Sequence, residues 1–385
     1  MKKITLLIGL LINGSICFLQ IPFSRVIPDS SLSTATSAVI TTDVAVLQSE
    51  NKIYGVNIVS NKNLWHKKLP YWAYSGALSL TGNPGKVYLH ALKDGLSQTE
   101  ILYTIDAGTG TIEDSLESVG IPFMNVYPIP KNTEEIGFTG QVKGKFTAAI
   151  MNKKPGKISR TFFTEGDAGN TIANALAFSK DGKQVAVALL NEKYEVRVYS
   201  LVDGKLNYTI PVKNLEIHDM EFSEDGKYLY FPDGKENLWI VNTETKLVEN
   251  KINTGGKHGQ IALSGDNQYA ILSGWEGTYI VRVNLKTFVV EKSNYGAISF
   301  SCNTDELGKY AVVTGRGMGP YFVSKYPYCV LYPISPETDL GTTTVNNESE
   351  GFSKGDQVMV SWNNEWYKAE IIDISNDKYK IHYTG

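Results

Sequence analysis

Four stretches of the chain repeat one pattern: a short apolar run, a polar turn and a second apolar run. Residues 175–179 lead into Lys180, Asp181, Gly182 and Lys183. Residues 220–223 lead into Glu224, Asp225, Gly226 and Lys227, residues 261–264 lead into Gly265, Asp266 and Asn267, and residues 298–301 form a fourth run. Asp-Gly and Asp-Asn supply the positive φ and the side-chain contacts that a tight hairpin needs, and the partner strand follows at once at 185–190, 228–231 and 269–272. Aligning Ser179, Ser223, Ser264 and Ser301 gives spacings of 44, 41 and 37 residues, the length of one four-stranded propeller blade.

A third strand is expected at 195–200, 237–242 and 279–284, and a fourth, after a polar turn, at 206–212 and 247–252. The register extends toward the N-terminus through 78–81 and 126–130, with 49 residues from Thr81 to Pro130 and again to Ser179, which implies longer loops there. Seven units result, starting near Ala38, Ala77, Asn125, Ala175, Asp219, Gln260 and Ala297, with six or eight as alternatives. The expected class is all-β, a seven-bladed β-propeller over 37–335 in which Phe178, Phe222, Leu263 and Phe300 are equivalent. The last unit has an unusual second-to-third loop at 316–327 and no fourth strand after Ile334; an N-terminal strand completing it would remove an exposed sheet edge.

The first unit carries Val44, Ala45, Val46 and Leu47, then 52–59, then Leu64, Trp65, His66, Lys67, Lys68 and Leu69. This order resembles a repeat of the pyrroloquinoline-quinone-type and YVTN-type propellers, with a Trp-bearing strand last. The resemblance covers about 38–335 and rests on Asp-Gly-Lys hairpins and strand order common to unrelated propellers, so it speaks to architecture and not to activity. The Gly-His and Trp-Asp marks of tryptophan-aspartate repeats are absent. The quinone-dependent dehydrogenases of that group are implied to carry adjacent cysteines and a calcium-binding carboxylate cluster on a larger propeller. This chain has no Cys-Cys pair, so neither that activity nor any cofactor is expected.

Residues 336–352 are polar and rich in Thr, Asn, Ser and Glu, and read as a linker. Beyond it, 355–362, 365–372 and 378–385 read as three antiparallel strands. Trp362 at the end of the first, Trp366, Tyr367 and Ala369 in the second, and Tyr383, Thr384 and Gly385 in the third follow the order of a Tudor domain and of the similar Tudor-knot and chromo-barrel modules. Residues 353–385 therefore resemble a partial SH3-like (Tudor) barrel that breaks off at Gly385. In that family aromatic residues at these places cage a methylated Lys or Arg by cation–π attraction, which would make Trp362, Tyr367 and Tyr383 three cage walls. The competing reading is that the same rings pack a small barrel and bind nothing.

Composition narrows the function. With 385 residues, 42% of them hydrophobic, the chain can bury a large core. Its 37 Lys and Arg against 40 Asp and Glu leave a formal charge of −3, without the basic excess of a phosphate-binding surface, so no nucleic-acid partner is expected. Met1, Lys2 and Lys3 precede an apolar run, 4–11, broken by Asn13, Gly14 and Ser15. This segment, taken as 1–30, resembles a signal peptide and falls far short of the roughly 20 apolar residues that span a bilayer. Export to the periplasm, cell envelope or medium is expected, with cleavage near Ser15 or within 33–38 and no transmembrane span beyond this segment. Cys17 lacks the neighbours of a lipoprotein cysteine. Cys302 and Cys329 read as separately buried thiols, with a disulfide as the alternative.

No catalytic constellation is visible. His66, His90, His218, His258 and His382 lack the short spacings of a zinc site, so no metal is expected. Ser301, with Cys302 and Asn303, takes the strand-to-turn place of the other aligned serines and reads as structure, not as a nucleophile. Gly315, Arg316, Gly317, Met318 and Gly319 precede no helix and read as a loop. Loops joining second to third strands, and loops between blades, share the face on which propellers bind ligands. That face gathers Tyr71, Trp72 and Tyr74 between units one and two, Trp275 in unit six, and Arg316, Tyr321 and Tyr326 in unit seven. Aromatic rings with an Arg dominate protein and carbohydrate recognition. The expected function is a non-catalytic binding or scaffold protein of the envelope or secreted fraction, not an enzyme, with a protein or carbohydrate partner. Two alternatives stand. An extracytoplasmic lyase or hydrolase would bring carboxylates and His together at the central channel, and a reader of methylated protein tails requires a chain that is not exported.

Overall fold

Each repeated hairpin closes around a buried side chain that meets the backbone groups its turn leaves unpaired. Ser179 Oγ donates to Asp181 Oδ1 at 2.7 Å and accepts the amide of Gln184 at 2.8 Å. Ser223 with Asp225 (2.7 Å) and Ser264 with Asp266 (2.6 Å) repeat the arrangement, accepting the amides of Tyr228 and Tyr269. Positive φ at Gly182, Gly226 and Asn267 completes the turns. The second strands that follow, such as Gln184–Leu190 and Tyr228–Pro232, bury nearly every residue on both faces. Sheets with two apolar faces have to stack.

In the computed structural model they stack as seven four-stranded antiparallel sheets around a closed ring, a seven-bladed β-propeller. The structure describes 37–335 apart from 50, 61, 71, 93–98, 120, 166–170, 275–278, 295–296, 306 and 318–327, together with 3–4, 24–25, 354–355, 357–362, 365–375 and 378–383. No helix occurs among these residues. The innermost strands are Ser37–Thr41, Trp72–Leu80, Phe123–Ile129, Ile172–Phe178, Glu221–Phe222, Gln260–Leu263 and Ala297–Thr304. Each packs against the next, and the seventh against the first. The hydrophobic core is divided into one cluster per seam between neighbouring blades. Strand alternation feeds two seams at once: Ala175 and Ala177 point into the seam of blades 4 and 5, Leu176 and Phe178 into that of blades 3 and 4. In blade 1, Trp65 of the outer strand Lys62–Lys68 crosses to blade 2, where Nε1 donates to Ala107 O at 2.7 Å.

Blade 7 is completed from the other end of the chain. Ser24–Arg25 forms its outermost strand, with Ser24 opposite Leu331 and Arg25 opposite Val330. Its hairpin, however, departs from the sequence alignment by four residues. Asp305, not Ser301, holds the turn position: its carboxylate Oδ1 accepts the amides of Lys309 (2.6 Å) and Tyr310 (2.8 Å), doing alone what a serine and an aspartate share in blades 4 to 6. The turn spacings are therefore 44, 41 and 41 residues. Phe178 pairs with Val185, Phe222 with Leu229, Leu263 with Ala270 and Thr304 with Ala311, so Thr304 and not Phe300 is the fourth equivalent residue. Ser301 lies inside the strand, its Oγ 2.7 Å from Thr314 Oγ1.

Cys302 and Cys329 are both buried and unbridged. Register explains why: Cys302 pairs with Val313 and Val313 with Val330, so the neighbouring Cys329 falls on the opposite face. One thiol joins the seam of blades 6 and 7, the other that of blades 7 and 1.

Met1–Cys17 and Gly341–Gly385 form a second compact unit. Its sheet contains the three expected antiparallel strands, Gln357–Trp362, Glu365–Ser375 and Lys378–Tyr383. Lys3–Ile4, which sequence assigns to the targeting segment, pairs in parallel with Met359 and Val360 as a fourth.

Candidate functional site

An innermost strand has its inner edge unpaired, and its backbone groups there need partners. Side chains of the preceding blade supply them. Ser37 Oγ accepts the amide of Leu78 at 3.1 Å between blades 1 and 2, Asn174 Nδ2 donates to Ile217 O at 2.8 Å between blades 4 and 5, and Asn303 Nδ2 donates to Ala38 O at 2.7 Å between blades 7 and 1. Between blades 5 and 6 the partners are carboxyl groups. Ile261 N donates to Asp219 Oδ2 at 3.1 Å, and Leu263 N donates to Glu221 Oε2 at 2.9 Å.

Both residues are half-buried at the channel wall, and the protein packed around their carboxyl groups sets the electrostatics of the pair. Desolvation pushes Asp219 up to about 7, against the amides of Ile261 and Met220, which favour the charged form. It pushes Glu221 up to about 8; the Lys180 ammonium pulls the other way, and the Asp219 charge adds to the rise. The Tyr127 phenol and Cys302 thiol, both raised first by burial and then by Asp219, face the same carboxyl. At the turn end of the channel Glu221 lies at a shallow opening of about 260 Å³, open solvent included, that is also lined by Lys180, Glu224, Asn267, Thr304 and Asp305. Lys180 Nζ stands 3.9 Å from Glu224 Oε2 and Glu224 N donates to Asn267 Oδ1 at 2.7 Å, tying three blades together around it. A carboxyl that keeps its proton near neutrality can donate as well as accept, so the pair has the chemistry of a general acid and of a hydrogen-bonding clasp.

On the opposite face, where the interblade loops lie, His258 is 2% exposed and neither ring nitrogen has a hydrogen-bond partner. Burial, followed by the Lys292 ammonium, lowers it to about 4, so the ring is neutral. Asp233 is fully engaged, accepting the amides of Lys235 and Asn237, the side-chain amide of Asn237 and the Trp239 indole. The other histidines stay apart. His90 lies buried 3.6 Å from Glu100, His218 is 3.2 Å from Asn174 Nδ2, and no three His, Cys, Asp or Glu side chains gather as metal ligands among the described residues.

The residues proposed from sequence as a ligand face divide into three groups. Tyr71, Trp275, Tyr321 and Tyr326 lie outside the described residues. Trp72 and Tyr74 are not in a loop: Trp72 opens the innermost strand of blade 2 opposite Leu92, and Tyr74 falls where that strand's register shifts between Ala73 and Leu78. Arg316 is likewise in a strand, opposite Ile298 near the end of the second strand of blade 7. Strand direction nevertheless brings Trp72 and Arg316 to the loop-face ends of their blades, with blade 1 between them. In the C-terminal sheet, Tyr367 opposite Val360, Trp362 opposite Glu365 and Tyr383 opposite Ala369 are register positions of one side, the side of the fully buried Ala369.

Sequence reading missed Asp219, Glu221 and His258. A signal for Glu221 was present, since it stands where blades 4 and 6 carry Ala177 and Ala262, whereas Asp219 falls where blade 6 already has a polar Gln260. His258 carried none. Compared with protein-family models the chain matches none, and compared with curated proteins it matches none.

Proposed function

We propose that the protein is a non-catalytic binding scaffold of the cell envelope or secreted fraction, that it takes a protein or carbohydrate ligand on the loop face, and that the C-terminal sheet is an accessory Tudor-like module. The repeat is read as the pyrroloquinoline-quinone or YVTN type, a reading supported by Trp65, whose bond to Ala107 O joins its blade to the next. One observation carries the binding reading: Trp72 and Arg316, an aromatic and a cation of the kinds that anchor interfaces, end up on the same face of blades 2 and 7. The test is a glycan array and an envelope-protein binding panel probed with the purified chain. Trp72→Ala and Arg316→Ala should each weaken the strongest interaction about tenfold, the loss of roughly one hot-spot contact, with unchanged melting. Full binding by both variants would sink the reading.

A second reading, a propeller lyase or hydrolase, has in its favour the channel carboxyls Asp219 and Glu221, which retain protons near neutrality. A substrate panel whose turnover is lost in Glu221→Gln would support it over the first.

A further inference from the structure

We propose that the outer edge of blade 1 is a docking site for an acidic polypeptide segment, which pairs with Lys62–Lys68 as a fifth strand of that blade. The sheet ends there with main-chain groups unpaired. Leu69 N donates to Asn51 O at 2.7 Å, so in this antiparallel pair Lys67 and Trp65 also turn their backbone groups toward Ile53 and Gly55. Those of His66 and Lys68, opposite Tyr54 and Lys52, turn outward to solvent, and such a row is a template for another extended chain.

Charge selects the occupant. The four strands of blade 1 contain no Asp or Glu, and Lys62–Lys68 carries three lysines and a histidine, all exposed. Lys52, opposite Lys68 and also exposed, adds a fourth lysine. None of the four reaches a carboxylate among the described residues, whereas Lys86, Lys180, Lys183 and Lys227 of blades 2, 4 and 5 each stand 3.9 Å or closer to one. Other outer strands differ. Ile112–Val119 of blade 2 is acidic, Leu206–Pro211 of blade 4 has no charge, and in blades 5 and 6 Lys251 and Lys292 share their strands with Glu249 and Glu291. In blade 3 Arg160 is tied to Leu201 O. Unopposed lysines on an edge repel a second edge of the same kind and attract one of opposite charge, so what keeps copies of this chain apart also selects an acidic strand. Register carries the charge to both faces: His66, stacked on Tyr54 with ring centroids 6.3 Å apart, shares one side of the sheet with Lys52 and Lys68, while Lys67 follows Ile53 on the other. Acidic residues on either face of the incoming strand therefore meet a lysine.

The probe is a synthetic peptide of alternating Thr and Glu, added to the full chain at low salt and followed by titration and by hydrogen exchange. At saturation it should slow exchange of the His66 and Lys68 amides by about tenfold or more. A Thr-Lys peptide should not bind, and neither the same Thr-Glu peptide N-methylated at every residue, which keeps the charge but cannot form the ladder, nor heparin should protect these amides. Lys67→Glu/Lys68→Glu should weaken the Thr-Glu peptide about tenfold or more. Unprotected His66 and Lys68 amides, equal binding of the N-methylated peptide, or full binding by the variant would overturn the proposal. Should the variant fail to fold, the comparison of the two Thr-Glu peptides on the native chain still decides.

Discussion

Asp305 Oδ1 accepts the amide of Tyr310 at 2.8 Å, the bond that Ser223 Oγ makes to Tyr228 and Ser264 Oγ to Tyr269 in the preceding blades. A carboxylate and a hydroxyl are interchangeable here because the turn asks only for a buried acceptor at a fixed distance. Asp305→Ser should therefore cost under about 1 kcal/mol, whereas Asp305→Ala leaves two amides unmet and should cost about 1–3 kcal/mol. Chemical denaturation of the two variants measures the difference; equal losses would mean the carboxylate acts in some other way.

The Trp65 contact predicts an intolerant glycine. Gly110 has φ +69°, and a Cβ there would stand 2.6 Å from the Trp65 ring. Gly110→Ala should destabilise by more than the roughly 1–2 kcal/mol of a left-handed alanine, because the ring must also move and stretch its bond to Ala107 O. Trp fluorescence should shift along with the melting temperature, while Gly144→Ala, at φ +77° in open space, isolates the backbone cost alone.

His258 makes the fold sensitive to acid. Its folded value, lowered to about 4, lies below the ordinary 6.5 of the unfolded chain, so the stability it confers is full above about 6.5 and is lost as pH falls through 4. The span is worth about 3 kcal/mol at most. The channel carboxyls gain protons over part of the same interval with the opposite effect, so the comparison has to be made between proteins: His258→Gln should lose less stability than wild type between pH 7 and 4.5 in urea melts.

Closure of blade 7 by Ser24–Arg25 bears on processing. A chain beginning at residue 33 lacks the strand that pairs with Leu331 and Val330, and should melt lower and self-associate through the exposed edge of Tyr328–Pro333. A chain beginning at Phe18 keeps it. Light scattering and calorimetry on the two forms test this, and if the protein is exported, sequencing of the mature chain should find a start upstream of Ser24.

What could be read along the chain was local. Asp-Gly and Asp-Asn turns and apolar strands of matched length are properties of neighbouring residues, so blade number, strand order and the turn roles of Ser179, Ser223 and Ser264 followed from sequence. The slip from Asp305 to Ser301 came from aligning a residue type when the fold aligns an acceptor, and an aspartate hides among serines. The ligand-face residues were placed in loops because strand ends cannot be located from composition; Trp72 turned out to be the first residue of its strand and Arg316 the last but one of its own.

Tertiary structure alone decided which polar groups meet. Asp219 and Ile261 are 42 residues apart, and only the angle between two blades brings the carboxyl to the amide. The same packing partly desolvates the carboxyl and raises it to about 7, a value no neighbour in sequence would impose. Nor does the sequence around His258 announce that the ring is shut away from every partner. Turn chemistry acts within a few residues and survives in the linear sequence, whereas desolvation depends on what the rest of the chain stacks against a group and exists only once the ring has closed.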